Sequence, residues 1–516
     1  MGDPDVLIVG GGHNGLVAAA YLARARLAVV VLEARHELGG AVASGEPFDG
    51  VPASLSRFSY LVSLLPQQLI AELELDVALA SRRVASYTPV DRDGLLIERD
   101  QGEATRVSFR ALTGDDREYE AWQEFHADLS RFAAVVAPTL MHPLPRAGRL
   151  RDQLGADLWA DLVEQPIGAV LERRFTSDAV RGVLLTDALI GTFASARDTS
   201  LRQNRCFLYH VIGNGTGEWR VPIGGMGAVT RALIRAAQRA GAELRTGVEV
   251  TSVQPMSEGG AEVVLGDGSR LRARYLLANC APAVLDRLLG RDPESQPEGS
   301  QTKVNVVLRR LPRLASGLDP AVGFAGTLHL GQGYQRLEET YRRALAGQIP
   351  DPMPCEVYCH TLTDPSILSP ELRARGYHTF TLFGLHTPAR LFRDRPEESR
   401  GAAGRAALSA LQSVLAEPLV ECLALDAHGQ PCIEVVTPLD LEDDLHMPGG
   451  HIFHGDLAWP WLADDDPRQT PSERWGVSTG PAGILLCGSG SLRGGAVSGL
   501  GGHNAASAVL ELEGLA

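Results

Sequence analysis

Lysine is nearly absent from this chain: of 48 strong cations, one is lysine, Lys303, and the others are arginine. That bias, beside abundant alanine and glycine, reads as genomic composition and leaves a single exception to explain. A cationic surplus is absent too. The net charge of −15 excludes a nucleic-acid partner, because binding a phosphate backbone is driven by cationic patches. The seven cysteines, scattered from Cys206 to Cys487, are too few for a disulfide framework and fit a reducing cytoplasm. Cys355 and Cys359 are spaced so that a strand or a helix can place both on one face. With no partner at metal-ligating spacing they are expected to be core thiols, and no metal site is expected. No apolar run reaches the roughly 18 residues of a spanning helix, and no charged leader precedes an apolar stretch. The expectation is a soluble cytoplasmic protein, attached to a membrane at most peripherally.

What is present is an ordinary globular composition in 516 residues, more than one core usually serves, so two packed domains are expected. The strongest signal is "DVLIVGGGHNGLVAAAYLARARLAVVVLE" at 5–33. It reads as a strand at 6–9, a glycine turn, a helix at 14–25 and a strand at 28–32. Gly10, Gly12 and Gly15 make the G-x-G-x-x-G pattern. The first glycine permits the turn, the second lets a pyrophosphate approach the backbone, and the third lets helix and strand pack closely. Glu33 ends the second strand, where a carboxylate can accept a ribose diol. Gly39-Gly40 follows in "ARHELGGAVAS", where the chain passes the cofactor again. That second pass points to FAD, which lies extended over several segments, rather than to NAD.

Near the C-terminus "GILLCGSGSLRGGAVSGLGGHNAASAVL" repeats the logic, with a strand at 484–487 and a helix at 498–512. Its helix N-terminus suits an electron-rich edge such as flavin N1–C2=O. In the middle, "PIGGMGAVTRALIRAAQRAGAELRTGVEVTSVQ" gives a glycine turn, an amphipathic helix and a strand to about Val253. A hairpin turning at Asp267-Gly268 and a strand at 275–278 follow. The dinucleotide domain is therefore expected to be discontinuous.

These segments, with "SRFSYLVSLL" and "GGHIFHGDL", resemble the amine-oxidase and phytoene-desaturase superfamily of FAD proteins. Within it they look most like the branch of carotenoid desaturase-like and ketolase-like proteins and pyridine nucleotide-disulfide oxidoreductase domain-containing protein 2. The resemblance implies an α/β fold: a discontinuous Rossmann-like FAD domain over 1–75, 221–290 and 446–516, and an α+β substrate domain of mixed sheet and helices over 76–220 and 291–445. It implies that Gly10, Gly12, Asn14, Gly15, Glu33, Ala34, Arg35, Gly39, Gly40 and Val250 hold the ADP half. Ser59, Gly488, Ser489, Gly495, Ala496 and Val497 would border the ribityl chain and ring. "SLRGGAV" departs from the "HPGGGV"-like run of the branch, and His451 stands where asparagine is usual; both departures are expected near the ring, where they would bear on substrate choice. Residues 34–90 hold no cysteine, which sets disulfide reduction aside, and no second nucleotide motif offers a nicotinamide site.

Lys303 lies in "SQTKVNVVL", whose alternation puts Lys303, Asn305 and Val307 on one strand face and Val304, Val306 and Leu308 on the other. In amine-oxidase-like proteins a lysine on such a strand reaches flavin N5 through a water, and the resemblance puts Lys303 there as a catalytic residue. A compact ammonium can hold a water or lose its proton in a dry site, which guanidinium cannot. The bland alternative is a surface lysine. His454, with Asp456 nearby, is the second catalytic candidate, as proton acceptor. The apolar stretch 57–73 reads as a core helix or as the lining of a substrate tunnel. The expected activity is two-electron oxidation of a C–C or C–N unit in a lipophilic small molecule, with oxygen or a quinone as acceptor. Alternatives are amine oxidation with oxygen, a flavin-dependent isomerisation without net redox change, and a non-catalytic flavin-bound scaffold.

Overall fold

The strand Val6–Val9 is flanked on both sides in a parallel five-stranded sheet. The order is Ile484–Leu486, Tyr275–Ala278, Val6–Val9, Val29–Glu33, Glu243–Thr246. The computed structural model from which this is read describes residues 3–91, 93–294 and 296–515. A parallel sheet is covered on both faces, which is why these strands are continuous apolar runs rather than alternating ones. Val6, Ile8, Val31 and Leu277 join one core with the helices His13–Arg24, Met226–Ala240 and Leu500–Leu512. Leu7, Val9, Leu32, Leu276 and Ala278 join another under a three-stranded antiparallel sheet, Val250–Pro255, Ala261–Leu265 and Arg270–Ala273. The sheet thus draws its strands from the start, the middle and the end of the chain, as the motifs imply, and the α/β expectation holds.

Local boundaries differ where local signals compete. The single strand expected to run to about Val253 is two: Glu243–Thr246 ends at Gly247, whose φ of +69° turns the chain into Val250–Pro255 and the other sheet. The stretch 57–73 is not one helix. Only Gln67–Glu72 is helical. Upstream, Leu61, Val62, Leu64 and Leu65 are buried in non-helical chain, pinned where Val62 and Arg220 exchange backbone bonds. Pro66 disfavours helical backbone at Leu65 and so delays the start.

The second half is dominated by a seven-stranded sheet ordered Ile433–Val436, Thr302–Leu308, His378–Gly384, Cys355–Tyr358, Thr327–Leu330, Val84–Val90, Asp93–Glu98. Thr302–Leu308 is antiparallel to both neighbours and buried throughout. Its Val304, Val306 and Leu308 enter the main core of this sheet, while Val307 packs on the other face against Phe48, Val51 and Leu55. Lys303 and Asn305 share that second face, so they meet the chain at 56–59 instead of water. Helices between 103 and 212 pack beside the sheet. Among the described residues no helix is long and apolar enough to cross a membrane. All seven cysteines are free, and Cys355 and Cys359 are buried.

Candidate functional site

The first glycine turn is held by backbone needs that side chains would violate. Gly10 has φ +101°, and a Cβ on Gly15 would stand 2.4 Å from the Gly10 oxygen. The helix His13–Arg24 starts at Gly12 with no capping side chain and no acid in its first turn. Its first N–H groups and its dipole are therefore available to an anion. Asn14 is 1% exposed, and its Oδ1 has no hydrogen-bond partner. The Glu33 carboxylate accepts the Gly11 N–H at 2.7 Å and the Arg35 N–H at 2.9 Å, leaving further lone pairs for a diol. Gly39 donates to the Gly11 oxygen at 2.9 Å, bringing the glycine doublet against the first turn.

The C-terminal run closes on the same place. A Cβ on Gly488 would meet the Asn279 oxygen at 2.8 Å, and one on Gly502 the Asn14 oxygen at 1.9 Å. The helix Leu500–Leu512 begins at Gly499, again without a side-chain cap or an early acid. Ala496 sits at φ +52°, and its oxygen lies 3.0 Å from His13 Nε2. The run "SLRGGAV" divides: Ala496 and Val497 line the cavity and Arg493 turns away from it. Arg493 does not line the cavity; 2% exposed, it donates to the oxygens of Thr139 at 2.9 Å, His142 at 2.5 Å and Trp475 at 3.1 Å. It ties the glycine run to the helical layer. His451 likewise lines a neighbouring polar cleft, its Nε2 3.9 Å from Asp456.

Between these turns and the seven-stranded sheet runs one cavity. Gly10, Gly12, Asn14, Glu33, Ala34, Arg35, Gly40 and Val250 line it, as do Ser59, Ser489, Ala496 and Val497. Gly15, Gly39, Gly488 and Gly495 stand behind its walls; Gly39 packs on Thr230, where a Cβ would come within 2.5 Å. Side chains that sequence reasoning missed complete it: Tyr60, Trp219, Phe383 and Asn279, whose Nδ2 donates to the Gly10 oxygen at 2.9 Å. Only Tyr60 carried a signal, in "SRFSYLVSLL". The charged lining, Glu33, Arg35 and Glu249, is confined to the end of Val29–Glu33 and the start of Val250–Pro255. Elsewhere the wall is mostly aliphatic and aromatic, with histidines and the uncharged polar residues Asn14, Ser59, Ser63, Asn279 and Ser489 among it. Burial holds His13 and His210 down to about 4 and His454 to about 3, so these three are neutral.

His454 lines this cavity at φ +64°, its Nδ1 buried without a partner, and it also borders the polar cleft that holds Asp456. Lys303 does not line the cavity. It is 3% exposed, so it is no surface lysine. Its Nζ donates to the Ser56 oxygen and, at 3.0 Å, to the Ser59 oxygen, and it lies 5.8 Å from the Tyr60 ring centroid. It therefore fixes the backbone that presents Phe58, Ser59 and Tyr60 to the cavity. Burial pushes its pKa down to about 7, against the pull of the Glu434 charge.

The donor set fits an extended dinucleotide: two uncapped helix N-termini, a carboxylate positioned for a ribose, a buried amide oxygen, and an apolar remainder for a flat ring. Comparison with known proteins leads the same way. Residues 15–313 match the family described as flavin containing amine oxidoreductase. An uncharacterised protein of Mycobacterium tuberculosis is 48% identical over 529 residues, 98% of this chain and 97% of that one. Pyridine nucleotide-disulfide oxidoreductase domain-containing protein 2 of Mus musculus is 31% identical over 98% of this chain and 93% of its own. Hydroxyneurosporene desaturase of Cereibacter sphaeroides is 30% identical over 55% of this chain and 57% of its own. Putrescine oxidase with bound putrescine shares the fold, with a TM-score of 0.58 at 18% identity, covering 98% of this chain and 99% of that one. The matches include both kinds of protein that the motifs resemble.

Proposed function

The chain belongs to the flavin-containing amine oxidoreductase family and is an FAD-dependent oxidoreductase, and from that premise we propose that it oxidises a lipophilic small molecule by two electrons. The bond oxidised is a C–C or C–N unit, and a hydride is transferred to flavin N5. The observation that carries the lipophilic part is the lining. Away from the nucleotide end, no described carboxylate or lysine faces the cavity. A protonated amine entering there would be desolvated with no counter-charge in the wall, which is costly. An apolar chain against Tyr60, Phe383, Leu441 and Ile452 would lose nothing.

Each segment has an assigned task in this reading. The FAD domain over 1–75, 221–290 and 446–516 holds the ADP half through the first glycine turn, with Glu33 on the ribose. The substrate domain over 76–220 and 291–445 supplies the wall opposite. Bound there, FAD would supply the two-electron chemistry, with oxygen or a quinone as the final acceptor. Lys303 has three N–H donors, of which two are taken by Ser56 and Ser59. The third is assigned to a water facing the flavin. His454, made a weak base by its burial, is assigned to hydrogen-bonding the substrate or the ring edge rather than to accepting a proton.

The test is spectral. FAD-loaded protein is mixed with squalene in detergent micelles, with a carotenoid, and with putrescine and benzylamine. The apolar compounds are expected to perturb the visible flavin spectrum in a saturable way, and the amines to leave it unchanged. The reverse pattern would sink the lipophilic reading and favour amine oxidation.

A further inference from the structure

Behind the Tyr60 wall lies a buried acid that nucleotide binding does not need. Glu356 and Tyr358 alternate along Cys355–Tyr358 and so share a face. Glu356 is 2% exposed. The Tyr358 hydroxyl donates to its Oε2, and the Thr186 hydroxyl donates to its Oε1 at 3.4 Å. His329, its register partner on Thr327–Leu330, brings Nε2 to 3.8 Å of Oε1 and has Nδ1 2.9 Å from the Thr88 hydroxyl. On the cavity side Tyr60 leans on Tyr358, ring centroids 4.5 Å apart, and the Tyr358 hydroxyl is itself bonded to the acid. The packed phenols therefore lead from the cavity wall to a carboxylate inside the protein. Packing alone does not call for this, because a glutamine would fill the space without a buried charge.

We propose that Tyr60, Tyr358 and Glu356 form a proton relay that takes the proton lost by the substrate and stores it on the Glu356 carboxylate. The proposal rests on the oxidative reading of the cavity. Two-electron oxidation removes one substrate hydrogen as hydride, which FAD accepts, and one as a proton. The Tyr60 oxygen takes that proton while its own passes to the Tyr358 oxygen. The Tyr358 proton passes to Glu356 Oε2. Both phenols end as phenols, and the carboxylate ends as a carboxylic acid. The stored proton leaves when oxygen or a quinone takes up two electrons and two protons.

The surroundings poise the acceptor near neutrality, where a base is most useful. Burial, with the charge of Asp187 beside it, raises Glu356 to about 8, against the bonds from Tyr358 and Thr186 and the charge of Arg82. The groups facing it are Asp187, at the end of Asp178–Thr186 and raised to about 7 by its own burial; Arg82, whose guanidinium lies 5.8 Å from the Tyr358 ring centroid; His329, held to about 3; and Tyr60. The relay runs in the carboxylate form, so proton uptake should quicken as pH rises through about 8.

The experiment compares wild type, Glu356→Gln and Tyr358→Phe, each FAD-loaded and checked for thermal midpoint. Infrared titration reads the carboxyl band directly. It should lose intensity near pH 8 in wild type and at higher pH in Tyr358→Phe, which lacks a bond that favours the carboxylate, with that change missing in Glu356→Gln. Anaerobic flavin bleaching by a compound that passes the spectral test should slow about 100-fold in both variants, and the limb near pH 8 should vanish in Glu356→Gln. A carboxyl titration between pH 6 and 10 that Glu356→Gln leaves unchanged, or a variant with FAD bound and wild-type bleaching, would overturn the relay. Failure of every compound to bleach wild type would overturn the oxidative reading instead, and the two failures are thereby told apart.

Discussion

The Glu33 carboxylate accepts the Gly11 N–H at 2.7 Å, so the acid proposed to face the nucleotide is also bonded to the glycine turn that would cradle its phosphates. One side chain would then couple the two halves of the proposed ADP site. Glu33→Gln puts an amide donor toward either the Gly11 or the Arg35 N–H. A charged hydrogen bond of about 1.5–3 kcal/mol is at stake, so FAD affinity should fall about 10- to 100-fold. Flavin fluorescence titration of the apoprotein measures this; an unchanged Kd would remove Glu33 from the site.

Lys303→Met leaves the carbonyl oxygens of Ser56 and Ser59 without their donor. Stability should drop by about 1–3 kcal/mol, and reoxidation of reduced flavin by oxygen should slow. Lys303→Arg should not rescue either property, since the bulkier planar head does not fit between two carbonyls. Thermal unfolding of the FAD-loaded protein and stopped-flow reoxidation read the two effects separately. A loss of stability with normal reoxidation would leave Lys303 a positioning residue only.

Gly502 lets the helix Leu500–Leu512 cross His13–Arg24 with no room for a side chain, because a Cβ would lie 1.9 Å from the Asn14 oxygen. Gly502→Ala should therefore destabilise the fold by about 1–3 kcal/mol or more. It should also lower FAD affinity, since Asn14 lines the cavity. Equilibrium urea unfolding with and without FAD distinguishes the two; a variant as stable as wild type would contradict the close crossing.

Acid should weaken the protein well above the carboxylate range. Burial holds His13, His126, His210 and His360 near 4 and His329, His386 and His454 near 3 in the folded state. Below pH 6.5 the unfolded chain protonates these groups and the folded one does not. The unfolded state then binds more protons, and stability falls with pH toward 4. Asp187 and Glu356, raised to about 7 and about 8, pull the other way, but they are two against seven. The urea midpoint should be lower at pH 5.0 than at pH 6.5, and equal midpoints would contradict the buried neutral histidines. The same neutrality means that His454→Gln should leave the shape of a pH–rate profile between 5 and 9 unchanged.

The parts legible in the sequence are those whose cause is short-range. Gly10, Gly12, Gly15 and Glu33 announce a strand, turn, helix and acid within thirty residues, and boundaries such as Val6–Val9 and Tyr275–Ala278 come out as read. Lys303 stood out because composition made it singular and alternation put it in a strand. What it bonds, the oxygens of Ser56 and Ser59, depends on chain some 250 residues away, and nothing local signals it. Arg493 shows the same limit. Its neighbours along the chain border the cavity, yet the side chain points the other way, to carbonyls that tertiary packing supplies. The stretch 57–73 was open to misreading because apolar spacing alone cannot separate a buried helix from buried extended chain. Tyr60, Trp219 and Phe383 converge only once the sheet and the helices are assembled.

The central claim is that this chain uses FAD to take two electrons from an apolar substrate. The most direct measurement mixes FAD-loaded protein anaerobically with a compound from the apolar set that perturbs its spectrum. Flavin bleaching and product mass are then followed together. One FAD should bleach for each product molecule lighter by two hydrogens. Turnover to an isomer of unchanged mass without bleaching, or bleaching by putrescine or benzylamine alone, would contradict it.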